Sequence, residues 1–132
     1  MHTQLLVFED LKFDQNKKAY IGSKIINSIN VKVLPAVTNC SLLLKIINLP
    51  HDGEISTEIR IVDSANEVLS ISQYVHRNYR QDDEISGVDQ GFELTLLHEN
   101  TGTIFIECYI NEVKTNWYPI TVKMEQEIID IT

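Results

Sequence analysis

Ile104-Phe105-Ile106-Glu107-Cys108-Tyr109-Ile110 is the stretch whose reading decides the fold. Its even positions hold Ile, Ile, Cys and Ile, and its odd ones Phe, Glu and Tyr. A period of two sends one row into a core and the other outward, which is the pattern of a β-strand. The same alternation returns at Tyr118, Ile120, Val122 and Met124 after a break across 111–116. It recurs at Ile55, Thr57, Ile59 and Ile61, and again at Phe92, Leu94, Leu96 and His98. Residues 42–47 are apolar on both faces apart from Lys45, as in a central strand covered on both sides.

The remaining rows are less regular. Leu5, Val7, Leu11 and Phe13 form one, interrupted by Glu9; Ala19, Ile21 and Ile25 form another; Leu69, Ile71 and Val75 give the core side of a third. Turn formers separate them at Asp14-Gln15-Asn16-Lys17, Pro50-His51-Asp52-Gly53, Asp63-Ser64-Ala65-Asn66 and Asn100-Thr101-Gly102. Short strands at this spacing predict an all-β chain, an antiparallel two-sheet sandwich of about seven to eight strands. The sandwich is expected over 1–123 as a single domain, with 124–132 as a short acidic tail or a single helical turn.

A chain of 132 residues is the size of one domain. Its formal charge of -8 and pI near 4.8 argue against duplex nucleic acid and anionic membranes as partners, leaving room only for a local basic patch. The N-terminal apolar run is short and ends at Glu9-Asp10, unlike a secretory signal, and no run is long enough to cross a bilayer. A cytoplasmic setting is the resulting expectation, with Cys40 and Cys108 reduced and acting as small core hydrophobes. The abundance of Ile, Asn and Lys suggests a bacterial or phage source.

Four surface features carry candidate chemistry. Tyr74, His76, Arg77, Tyr79 and Arg80 could bind an anion or nucleotide, since guanidinium forks suit oxyanions and rings stack on bases; the same arginines could equally pair with Asp82, Asp83 and Glu84. Those acids with Asp89 could hold Ca²⁺ or form a solvated loop, calcium needing six to eight oxygens. Phe105, Tyr109 and Trp117 share the outer face of the last hairpin, with Tyr109 expected opposite or diagonal to Trp117. Such a trio could contact a protein or simply stabilise its own sheet. Finally, His2, His51, His76 and His98 show no zinc spacing, no Gly-x-Ser-x-Gly occurs, and Gly22-Ser23-Lys24 lacks the upstream glycine of a phosphate loop. Neither an enzyme, a cofactor nor a bound metal is expected.

The segment from Leu5 to Gly22, with its acidic turn and following Lys17-Lys18, resembles a family of small bacterial β-sandwich proteins of unassigned function. Gly102-Thr103-Ile104-Phe105-Ile106-Glu107-Cys108-Tyr109-Ile110 with Tyr118-Pro119-Ile120-Thr121-Val122 is similar to that family's closing hairpin, and to the last hairpin of immunoglobulin-like domains. The resemblance implies an immunoglobulin-like or C2-like sandwich and brings no catalytic or binding residue. The resulting functional expectation is a non-catalytic interaction module. It would bind itself or another protein through the outer aromatic face or an edge strand. The alternative is a small anionic ligand at the Tyr74–Arg80 segment.

Overall fold

Each clean alternation of the sequence becomes a strand in the computed structural model, which describes residues 1–125 and contains no helix among them. Strands β1 (His2–Phe8), β5 (Ala36–Ile47) and β8 (Gly87–His98) form an antiparallel sheet in the order β1-β5-β8. A second sheet has the order β4-β10-β9-β6-β7, from β4 (Ser28–Val31), β10 (Val113–Met124), β9 (Gly102–Ile110), β6 (Ile55–Asp63) and β7 (Val68–His76). Its neighbours are antiparallel except β4, which runs parallel to β10. A two-stranded ribbon, β2 (Leu11–Asp14) with β3 (Ala19–Gly22), pairs with neither sheet.

The two sheets close on one core. Val7, Leu42, Leu44 and Ile46 from the three-stranded sheet meet Ile106, Cys108, Ile120 and Val122 from the five-stranded one, all fully or almost fully buried. Full burial of an aliphatic side chain contributes about 1.5–3 kcal/mol, so these rows hold the sandwich together. Strand β5 is central in its sheet, as the apolar run 42–47 predicts. Cys40 and Cys108 are both buried and free, and burial pushes the Cys40 thiol up to about 11 and the Cys108 thiol upward as well.

The weaker rows are where the structure departs from the sequence reading. There are ten strands among the described residues, because the row from Leu5 to Phe13 breaks at Glu9-Asp10 and because β4 carries no clear alternation. Ala19, Ile21 and Ile25 face solvent, while Tyr20 and Ile26 turn inward. In β7 the exposed row is Leu69, Ile71 and Val75, and the inward row is Ser72, Tyr74 and His76. As the edge strand of the wider sheet, β7 is only partly covered, so apolarity does not mark its inner side. The last hairpin turns on two residues, Asn111 and Glu112, with φ of 50° and 66°, and Ile110 pairs Val113. A bulge between Lys114 and Asn116 then resets the register, so Trp117 lies opposite Glu107 and diagonal to Tyr109, within the expected placement. Strand β10 includes Met124, and the Glu125 N–H donates to the Val31 carbonyl (2.7 Å). The rest of the expected tail lies outside the described residues.

Candidate functional site

The outer aromatic trio divides in two. Phe105 and Trp117 stack edge to face with centroids 5.8 Å apart, and Trp117 remains 53% exposed. Tyr109, on the same face and diagonal to Trp117, is outside that stack, with the Arg60 guanidinium 4.0 Å above its ring and its hydroxyl donating to Glu107 Oε1 (2.9 Å). Lys114 Nζ donates to the other carboxylate oxygen of Glu107 (2.9 Å), and Arg60 pairs with Glu58. Burial, then the hydrogen bond to Glu107, push the Tyr109 phenol upward, as expected of a hydroxyl held by a carboxylate. The expected single aromatic face is therefore a stacked pair beside a satisfied polar network.

The Tyr74–Arg80 segment does not converge on an anion. Tyr74 points between the sheets against Phe92, with ring centroids 3.9 Å apart, and His76 is buried beside it. Arg77 is paired with Glu54. Arg80 donates to the Ile85 carbonyl (3.2 Å) and to Asp89 (3.4 Å), while Tyr79 points into solvent. Both guanidinium groups are already matched by carboxylates. Of the acidic set, Asp89 pairs with Arg80 and Lys45, Glu84 accepts from the Gln81 amide, and no cluster of three metal-type side chains occurs among the described residues.

Two buried histidines escape the sequence reading as a pair. His76 and His98 are each 3% exposed, and each places Nε2 2.7 Å from a threonine hydroxyl, Thr57 and Thr38 respectively. The Nδ1 of His76 has no partner among the described residues. Burial lowers both imidazoles below their ordinary 6.5. Below that pH the unfolded chain binds protons that the folded chain refuses, so stability is full above it and falls as pH drops through it. Urea melts between pH 7.5 and 5.5 should show a decline of up to about 1.4 kcal/mol per pH unit for each histidine. His76→Phe should remove one histidine's share of that decline and leave the share of His98; stability constant or rising over that window in the wild type would contradict the burial of both rings.

The feature that total composition conceals is the β2–β3 ribbon. Residues 9–32 carry five lysines and three carboxylates, whereas the rest of the chain carries six basic against sixteen acidic side chains. Lys12, Lys17, Lys18, Lys24 and Lys32 are all exposed. The ribbon leaves β1 and lies against the outer face of the three-stranded sheet, with Leu11 and Tyr20 over Gly91. A Cβ at Gly91 would fall 2.7 Å from Tyr20 Cε1 and 2.9 Å from Leu11 Cδ2, so a larger residue there would push these side chains off the sheet. Its root is tied by the Glu9 amide to the Lys24 carbonyl (2.8 Å) and by Ser23 Oγ to the Asp10 amide (3.0 Å). At its tip Asp14 Oδ1 accepts from the Asn16 and Lys17 amides (2.9 and 3.0 Å), and Lys18 completes the turn at φ 49°. That lifts Lys17 and Lys18 to the apex. Phe13, 46% exposed, meets Tyr20 edge to face at 5.1 Å. An open hollow of about 490 Å³ lies beside it, bordered by Lys12, Phe13, Ile21 and Ser23 among others. The sequence signal was present in the local separation of charge; the net value of -8 averages it away.

No family model matches the chain, and no curated protein matches it. Among solved structures it is similar to the Pseudomonas fluorescens alkylpurine DNA glycosylase AlkC bound to DNA containing an abasic site analog, with 11% identity and a TM-score of 0.39. The match covers 90% of this chain and 30% of that one. That neighbour is an enzyme seen on DNA, which runs against the expected protein- or small-anion-binding module and against the exclusion of nucleic acid. Both expectations are withdrawn. The charge argument fails on physical grounds as well, since a partner meets a local field rather than the net charge. At this distance the likeness itself assigns neither a partner nor an activity to the chain.

Proposed function

We propose that the chain is an immunoglobulin-like domain that contacts the phosphate backbone of nucleic acid through its basic β2–β3 ribbon. The strand order supports the immunoglobulin-like part. Strands β5 and β8 would stand as B and E, and β6, β7, β9 and β10 as C, C′, F and G of a sandwich with a widened second sheet. The first strand is then shared, β1 in one sheet and β4 beside β10 in the other, with the ribbon inserted between its halves. Two free, buried cysteines suit a reducing, cytoplasmic setting for it.

The observation that carries the binding part is the segregation of five exposed lysines on residues 9–32 of an otherwise strongly acidic chain. Nucleic-acid backbones attract such patches by releasing condensed counterions, without needing a basic protein overall. The proposal is of binding, and it assigns no catalytic group. Fluorescence anisotropy with a labelled single strand, repeated over a salt series, tests it. Binding at low salt should weaken as salt rises, and replacing Lys17 and Lys18 together by Gln should lower the log–log slope by roughly 1.4, two contacts of about 0.7 each. A chain that binds nothing at low salt, or a double variant with an unchanged slope, removes the proposal.

A further inference from the structure

We infer that the ribbon takes single-stranded rather than duplex nucleic acid, holding an unpaired base against Phe13 while the neighbouring lysines track the phosphates. This inference rests on the nucleic-acid reading of the ribbon and narrows it to one class of ligand.

The geometry rules against groove insertion. A β-ribbon that reads duplex DNA enters a major groove about 12 Å wide and needs to project from its domain. Here one face of the ribbon is pressed on the three-stranded sheet, Leu11 and Tyr20 against Gly91, and Gly22 lies directly under the Phe8 ring. What remains reachable is the outer face, the tip and the open hollow. Phe13 belongs to the same row as Leu11 and Tyr20, but at the tip end of that row it stays 46% exposed, so part of its ring is open to a stacking partner. A duplex keeps its base faces stacked on one another and gives such a ring nothing to bind; a single strand presents bases whose faces are available.

Charge complementarity surrounds the ring. Lys17 and Lys18 stand at the turn just beyond Phe13, while Lys12, its neighbour in β2, projects from the opposite face of the ribbon. The two carboxylates nearest to them are engaged. Asp10 pairs with Lys12 at 3.6 Å, and Asp14 Oδ1 is held by two turn amides. The arrangement combines cationic side chains with a stacking platform, the two elements by which sequence-tolerant single-strand binders work.

The test compares three labelled probes of equal length: an oligothymidine strand, the same strand with abasic sites in place of its bases, and a duplex. Each is titrated against the wild type, Phe13→Ala, Phe13→Trp and the Lys17→Gln/Lys18→Gln variant. The expected result is that Phe13→Ala weakens the intact strand roughly tenfold, leaves the abasic strand unchanged, and is reversed by Phe13→Trp. General damage to the ribbon would instead weaken both strands alike and would overturn the inference. So would a duplex bound as tightly as the single strand. If Phe13→Ala binds like the wild type while the lysine variant fails, stacking is wrong and the phosphate reading survives. If no probe binds the wild type, the reading and this inference fall together.

Discussion

Ile106→Ala is expected to cost about 2–5 kcal/mol, because it empties a fully buried aliphatic site on the central part of the five-stranded sheet. Ile106 pairs with Tyr118 on one side and Ile61 on the other, so neither flanking strand can close over the cavity independently. Its neighbour makes the informative contrast. Alternation alone puts Glu107 outside, where truncation should cost under about 0.5 kcal/mol. In the structure Glu107 is only 8% exposed and accepts from both the Tyr109 hydroxyl and Lys114. Glu107→Ala strands the Tyr109 hydroxyl beneath Arg60, and the expected loss rises to about 1–2 kcal/mol. Urea melts of both variants decide the matter. A loss at Ile106 under about 1 kcal/mol would mean the core row is misplaced; a neutral Glu107→Ala would mean that the outer network is not formed in solution.

That contrast shows how far the sequence could be read. Period-two rows with charged partners, such as those of β9 and β6, fix both strand and facing, because burying a Glu or Arg row between sheets is too costly to occur. The reading weakens where coverage is partial. Leu69, Ile71 and Val75 are apolar yet exposed, and Ser72 and His76 face inward, since an edge strand overhanging a narrower sheet has no fully dry side. It is blind to β-bulges: one extra residue near Thr115 is what returns Trp117 from the core row to the outer face of Glu107 and Tyr109. Parity arguments have no means of seeing such an insertion. The site was hidden for a different reason. The resemblance and the alternation both drew attention to the hairpin at 102–124, whereas the lysines of 12–32 were averaged into a net acidic charge. The docking of the ribbon depends on two glycines, Gly22 and Gly91, which look like strand defects until the rings of Phe8 and Tyr20 are placed over them. Likewise the run from Arg77 to Ser86, with its Asp82-Asp83-Glu84, has no apolar alternation and by sequence alone reads as irregular. In fact Asn78 Oδ1 accepts from the Arg80 and Gly87 amides, and Ser86 Oγ donates to the Leu49 carbonyl, so side chains replace regular pairing there.

Gly87→Ala is expected to destabilise the protein by about 2–4 kcal/mol, at or above the usual cost of overpacking. Gly87 opens β8 opposite Ile47, and a Cβ there would overlap the carbonyl oxygen of Ile46 and come within 3.2 Å of the Arg80 guanidinium. The side chain of Arg80 can swing away, but the Ile46 carbonyl belongs to the central strand of its sheet and cannot move without breaking the β5–β8 ladder. Movement would also pull the Gly87 amide from Asn78 Oδ1 (3.0 Å), releasing the turn that keeps Arg80 on Asp89. Loss of that strap should expose residues 77–86 to proteases before the core opens. Gly53→Ala serves as the control. It meets no atom within 4 Å, and its φ of 93° carries only a local backbone penalty, so about 1 kcal/mol is expected. Melting curves and limited proteolysis of the two variants check this. If Gly87→Ala melts with the wild type and is cut no faster, then the close approach of β8 to Ile46 is not a feature of the folded chain, and the ordered reading of residues 77–86 goes with it.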